Sequence, residues 1–349
     1  MTARGSRTGT LREPIPSRVG AAIPFAVCPD QLIRLRDLRA NPWMAVVDMV
    51  LRTLVAGELR SLGSTLSSWQ RDTGPIQLHA GDLGWFSMRG ADATARALRA
   101  WFRGDQLLAL GLLEGPDVLL RLGMDPDLRE DGALARQMCA DITDPERGGL
   151  SVGEAVVEAR GASALQRVML ASGWQLDEPW TPLHYDLHES VPDTLITRTG
   201  LHVETVGVDR ADEWMEVHWS AFRGTAFAES ERAEVVDWWT TMMEGPFAER
   251  GRSLAAFDPD GRPVAIAGVW SAGHGRPGLI EPMGTHPDHR GKGYGAAISQ
   301  AAASALRQMG ASSAIVCAES SNTGAVATYA AAGFVSHPPV ADLLRQDTA

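Results

Sequence analysis

The chain has 349 residues, 44% hydrophobic and 21% charged, the composition of a soluble globular protein long enough for two domains of ordinary size. No apolar run approaches the ~20 residues of a membrane span, and a formal net charge of −11 argues against general nucleic-acid binding, which needs clustered positive charge to neutralise phosphates. Three scattered cysteines (Cys28, Cys139, Cys317) form neither a disulfide framework nor a metal-ligand spacing, and the nine histidines show no paired pattern, so no metal is expected.

In chain order, residues 1–24 are basic and rich in Gly, Ser and Pro without an apolar core of signal-peptide type. They read as a disordered tail, with the cytoplasm as default location. Apolar residues at helical spacings, among them Val46, Val47, Val50, Leu51 and Leu54, predict helices over 29–40 and 43–56. A strand is expected over 77–86 and a helix over 91–101. The apolar runs 107–113 and 118–122 flank Glu114-Gly115-Pro116-Asp117, which is hairpin chemistry.

The chain then repeats itself. MDPDLREDG at 124–132 aligns with THPDHRGKG at 285–293, and residues 162–174 align with 322–334. Arg129 lies opposite Arg290 at an offset of 161, and Gly173 opposite Gly333 at an offset of 160. Agreement within one residue over two separate segments points to two copies of one domain. The first is assigned to 25–190 and the second to 200–349, with a proline-containing linker at 191–199 and a last first-domain strand near 183–187.

The second copy opens with a strand over 200–208, then amphipathic helices over 209–222 (Trp214, Trp219) and 230–243 (Trp238, Trp239). A hairpin over 254–257 and 264–270 turns at Asp258-Pro-Asp-Gly261, followed by a strand over 278–285. Next come Arg290 and three glycines at alternate positions, Gly291, Gly293 and Gly295, then the alanine-rich helix 296–308. Strand, glycine turn and helix N-terminus together make an anion site: the first backbone N–H groups lack intrahelical partners and the helix dipole adds partial positive charge. Lys292 is followed by glycine instead of Ser or Thr, which excludes a P-loop, and the hairpin-linked strands upstream disfavour a dinucleotide-binding fingerprint.

Thr285-x-Pro287-x-x-Arg290-Gly291-x-Gly293-x-Gly295 resembles the coenzyme A pyrophosphate loop of the GNAT (GCN5-related N-acetyltransferase) superfamily. A strand over 314–318, Asn322, a helix holding Ala325 and Tyr329, and Gly333-Phe334 agree with it, so the resemblance covers roughly 200–345. It implies an α/β (α+β) fold of two tandem GNAT units, each a mixed, mainly antiparallel, splayed sheet flanked by helices. In the first copy Glu130 and Asp131 replace Gly291 and Lys292, Leu134 replaces Gly295, Met169 replaces Tyr329 and Ala162 replaces Asn322. Carboxylates where phosphates would sit oppose coenzyme A binding, so the first copy reads as a degenerate structural half.

The resemblance further implies acetyl-CoA as donor, held by the backbone of Met283, Gly284 and Thr285, by Arg290, Gly291, Lys292, Gly293, Tyr294 and Gly295, and by Asn322. Strand alternation puts Glu281, Met283 and Thr285 on one face. Glu281 is the candidate proton acceptor for the attacking amine, a structural carboxylate or an ammonium binder being the alternatives. Tyr329 matches the family's general-acid position. Trp219, Phe222 and Trp239 lie on the helices that line the family's acceptor site, as its walls or as interface packing. The expected activity is direct acetyl transfer in a ternary complex to an amine of a small molecule, in specialised metabolism or antibiotic modification, by a monomer or homodimer. Mycothiol synthase-type acetylation of a cysteinyl pseudodisaccharide is a close alternative; an aminoacyl-tRNA donor and a non-catalytic acyl-CoA sensor are further ones.

Overall fold

The computed structural model describes residues 49–347, Pro116 and Ala226 excepted; the expected tail, the helix over 29–40 and the start of that over 43–56 lie outside these residues. From Met49 onward the chain forms one compact unit. The first copy runs β1 (Met49–Arg52), α1 (Leu59–Ser68), α2 (Ala80–Phe86), α3 (Ala91–Ala97), β2 (Leu98–Arg103), β3 (Gln106–Glu114), β4 (Leu119–Met124), α4 (Gly132–Thr143), β5 (Ala155–Glu158), α5 (Ser163–Ala171) and β6 (Gln175–Asp186). The second runs α6 (Thr194–Thr199), β7 (His202–Thr205), α7 (Ala211–Arg223), α8 (Glu229–Met243), β8 (Gly251–Phe257), β9 (Pro263–Trp270), β10 (Gly278–Thr285), α9 (Tyr294–Gln308), β11 (Ser313–Glu319), α10 (Thr323–Ala331), β12 (Val335–Ser336) and β13 (Val340–Arg345).

Several expectations change. Residues 49–52 form a strand, because Met49 to Arg52 pair antiparallel with β2, and that pairing overrides a helical spacing. Residues 80–86 form a helix: Asp82 accepts the His79 N–H (2.6 Å) while His79 Nδ1 accepts the Gly81 N–H (2.9 Å), a reciprocal cap that starts α2. The helix expected over 91–101 stops at Ala97, and Leu98 begins β2. Elsewhere the bounds shift: the expected linker holds α6, the strand expected near 183–187 is the longer β6, and that expected over 200–208 shrinks to β7.

Each copy has an antiparallel β-meander, β2-β3-β4 and β8-β9-β10. A parallel neighbour follows each, β5 beside β4 and β11 beside β10. The parallel pairing is brief: Gly278 and Leu279 face Ala314 and Ile315, and then β10 and β11 diverge. The two copies share one sheet, because β6 of the first lies against β11 of the second and β13 of the second lies between β5 and β6. The alanines of α9 (Ala297, Ala302, Ala303) are fully buried, so small side chains let this helix lie close on the sheet. No helix among the described residues is long and apolar enough to cross a membrane.

Candidate active site

The glycine turn caps β10. Gly291 (φ +76°) and Gly293 (φ +84°) adopt the left-handed conformation that side chains disfavour. α9 begins at Tyr294 with Gly293 at its N-cap and no side chain on the free N–H groups. A Cβ at Gly291 would meet nothing within 4 Å, so the turn presents an open backbone cradle. Gly295 is small for a different reason: a Cβ there would stand 2.9 Å from Thr328 Cγ2 of α10. Arg290 donates to the Ala221 carbonyl (3.0 Å) and reaches toward that of Thr285 (3.4 Å), tying the turn to the end of α7. Lys292 is exposed, with Nζ 3.3 Å from His289 Nδ1.

The matching turn of the first copy is closed from within. Asp131 Oδ1 accepts from Ala133 N (2.9 Å) and Leu134 N (3.0 Å), which occupies the N-terminus of α4. Those N–H groups are the ones a phosphate would need. Arg103 lies 3.4 Å from Asp131 and Arg167 2.7 Å from Glu130. The carboxylates that mark this copy as degenerate are thus paired within the fold.

Further along β10, Pro282 has no N–H to give the ladder, and the register with β9 shifts between Ile280 and Met283. The Trp270 indole donates to the Glu281 carbonyl (2.8 Å) at this irregularity. Glu281, Met283 and Thr285 are half-buried on the face they were expected to share, and Gly284 lies under Ala221 and Phe222 of α7. The Glu281 side chain, 30% exposed, sits 3.6 Å from Arg121 Nη1. Burial raises its pKa well above the usual carboxylate range; Arg121 opposes the shift, and Asp82 adds to it. Tyr329, 5% exposed, packs edge-on against Phe334, and burial followed by the Glu281 charge raises its phenol. Asn322 Oδ1 caps α10 by accepting from Ala325 N (3.1 Å).

Of the expected acceptor walls, Phe222 stands beside Gly284. Trp219 and Trp239 are 6% and 1% exposed; the first donates to Thr225 Oγ1 (3.1 Å) and the second packs on Trp214. Both are buried packing residues whose contacts lie within the second copy. Sequence reasoning passed over His218, which stacks on Trp214 (centroids 5.6 Å) and contacts Trp85 of the first copy (5.2 Å) and Phe222 (4.9 Å). Its Nε2 is buried without a hydrogen-bond partner, and burial, then Arg223, pushes its pKa down to about 3. It also passed over Asp82 and Arg121, which are far from Glu281 in sequence. The only signal for Asp82 was its place three residues after His79, a capping spacing. Among the described residues no group of three or more His, Cys, Asp or Glu side chains could hold a metal ion.

Residues 211–334 match the model of the Acetyltransferase (GNAT) family. No curated protein sequence matches the chain. A tandem GNAT protein from the clavulanic acid biosynthesis pathway superposes with a TM-score of 0.56 at 16% identity, covering 85% of this chain and 98% of that one. A GNAT-family acetyltransferase from Colwellia psychrerythraea gives 0.51 at 12% identity, covering 86% and 100%. At such identities these likenesses speak to the fold, and the fold they share is the tandem one. Residues 211–334 thus carry a GNAT-family acetyltransferase domain, set in a fold that most of the chain shares with a tandem GNAT structure.

Proposed function

We propose that the second copy transfers an acetyl group from acetyl-CoA to an amine of a small molecule by direct attack in a ternary complex. The observation that carries this reading is the contrast between the two helix N-termini: α9 opens on an uncapped glycine turn, whereas Asp131 fills the same place at α4. The backbone of Arg290 to Gly295 would hold the pyrophosphate, and that of Met283 to Thr285 the pantetheine and thioester carbonyl. Acetyl-CoA supplies the activated acyl group and a thiolate leaving group. Glu281 takes the proton that keeps an amine from acting as a nucleophile, and its raised pKa makes it a stronger base once ionised. Tyr329 returns a proton to the departing sulfur; its raised pKa keeps the phenol protonated through the neutral range.

The test is a thermal-shift titration with acetyl-CoA, followed by a thiol-release screen across small amines, including those of specialised metabolism. Stabilisation by acetyl-CoA that disappears in Gly293→Glu supports the reading. An unchanged melting temperature in the wild type refutes it.

A further inference from the structure

Arg121 is the centre of a buried charge cluster joining the two copies. Its guanidinium lies 3.0 Å from Asp82 Oδ1, 3.1 Å from Glu158 Oε2, 3.5 Å from Glu114 Oε1 and 3.6 Å from Glu281 Oε1. Asp82, Glu158, Glu114 and Arg121 all come from the first copy, and only Glu281 comes from the second. Arg160 also approaches Glu158 (3.8 Å) while pairing with Asp342 (2.7 Å), so Arg121 is the cation that faces both Asp82 and Glu281, and two carboxyls on one guanidinium favour keeping a proton on one of them. The pair best placed to hold it is Asp82 and Glu281, which meet on the two terminal nitrogens of the same guanidinium, Asp82 at Nη2 and Glu281 at Nη1.

The first copy fixes Asp82 in place. Its other oxygen accepts the His79 N–H (2.6 Å), and the His79 ring nitrogen Nε2 donates to the Pro277 carbonyl of the second copy (3.1 Å). Asp82 is 2% exposed and Glu281 30%, so a proton arriving from the cleft meets Glu281 first, with Asp82 behind it.

We propose that Asp82 and Arg121 are positioning residues of the first copy that make Glu281 one member of a carboxyl pair held on one guanidinium and spanning both halves. The inference rests on the reading of Glu281 as proton acceptor and adds that the degenerate half completes it. In the resting pair one carboxyl keeps its proton and the negative charge of the other faces Arg121. Once that proton is lost to solvent, the doubly ionised pair takes one proton from the acceptor ammonium. The amine keeps its lone pair for attack, and the pair returns to a single charge. The charged and titratable groups facing Glu281 are Arg121 of β4, Asp82 of α2, Glu114 of β3 and Tyr329 of α10, with Glu158 of β5 behind Arg121 and a neutral His79 behind Asp82. Removing Asp82 therefore relieves repulsion and lowers the titration of Glu281, whereas removing Arg121 raises it.

An isotope-edited infrared pH titration of the full chain, with labelled carboxyl carbons, reads this directly. The wild type should hold one protonated carboxyl band above the ordinary carboxylate range, absent in Glu281→Gln. Its midpoint should fall by about one pH unit or more in Asp82→Asn and rise by a similar amount in Arg121→Met. A wild-type midpoint in the ordinary range, or one unmoved by Asp82→Asn, overturns the proposal. Asp82→Asn is isosteric and decides the matter alone if Arg121→Met does not fold. Acetyl-CoA thermal shifts on the same samples separate the two claims: a carboxyl titration as described without acetyl-CoA stabilisation refutes acyl transfer and upholds the pair, and the converse refutes only the pair.

Discussion

At the scale of single residues, burial decides chemistry. Tyr329 and His218 are both aromatic, both desolvated and both held neutral, yet with opposite consequences. The Tyr329 phenol keeps its proton and can give it to a thiolate, so Tyr329→Phe should lower kcat by about 10²–10⁴-fold with little change in acetyl-CoA affinity. Full turnover in the variant would remove Tyr329 from the mechanism. For His218 the sign runs through the unfolded state. Unfolded, the imidazole titrates near its ordinary value of 6.5; folded, it is pushed down to about 3. The native state thus binds fewer protons between those values, and stability is present above 6.5 and lost as pH falls toward 3, at no more than about 1.4 kcal/mol per pH unit. His218→Phe should flatten the acid limb of denaturant-measured stability, and an unchanged pH slope would contradict the assignment.

Elements show which parts of the site a sequence can carry. The β10 turn and the start of α9 were legible because Gly291, Gly293 and Gly295 sit within five residues and no other reading explains that density. The structure separates the glycines by role: positive φ at Gly291 and Gly293, helix contact with Thr328 at Gly295. Gly295→Val should therefore displace α10, and with it Tyr329, and lose turnover while the pyrophosphate cradle persists; retained kcat would show that α10 can yield. The closing of the first copy's turn was legible as charge, though not as a cap. Asp131→Ala should cost about 1 kcal/mol of stability by urea denaturation. What stayed hidden was α2, because its two glycines weaken any helical pattern. They are there because a Cβ at Gly81 or Gly84 would come within 2.5 or 2.3 Å of Trp270, and no local pattern encodes a contact across some 190 residues of chain.

Across the whole molecule, the repeat at offsets of 161 and 160 announced two copies, but not that they exchange strands. Neither half of the sequence contains a complete sheet: β11 needs β6, and β5 needs β13. The buried fork between Arg160 and Asp342 (2.9 and 2.7 Å) fastens β13 to the first copy. Arg160→Met would strand the Asp342 carboxylate and should cost about 3–5 kcal/mol. Unfolding should be a single transition by both near-UV and far-UV dichroism, and two resolved transitions would contradict a shared sheet. This architecture also explains why a copy with a closed phosphate turn persists, since it supplies β6, the α2 wall and the groups around Glu281. The account's central claim is one working cradle in a chain of two copies, and calorimetric titration with acetyl-CoA tests it most directly. The account predicts one equivalent bound per chain, abolished by Gly293→Glu and unaffected by Asp131→Asn; two equivalents, or binding that survives Gly293→Glu, would contradict it.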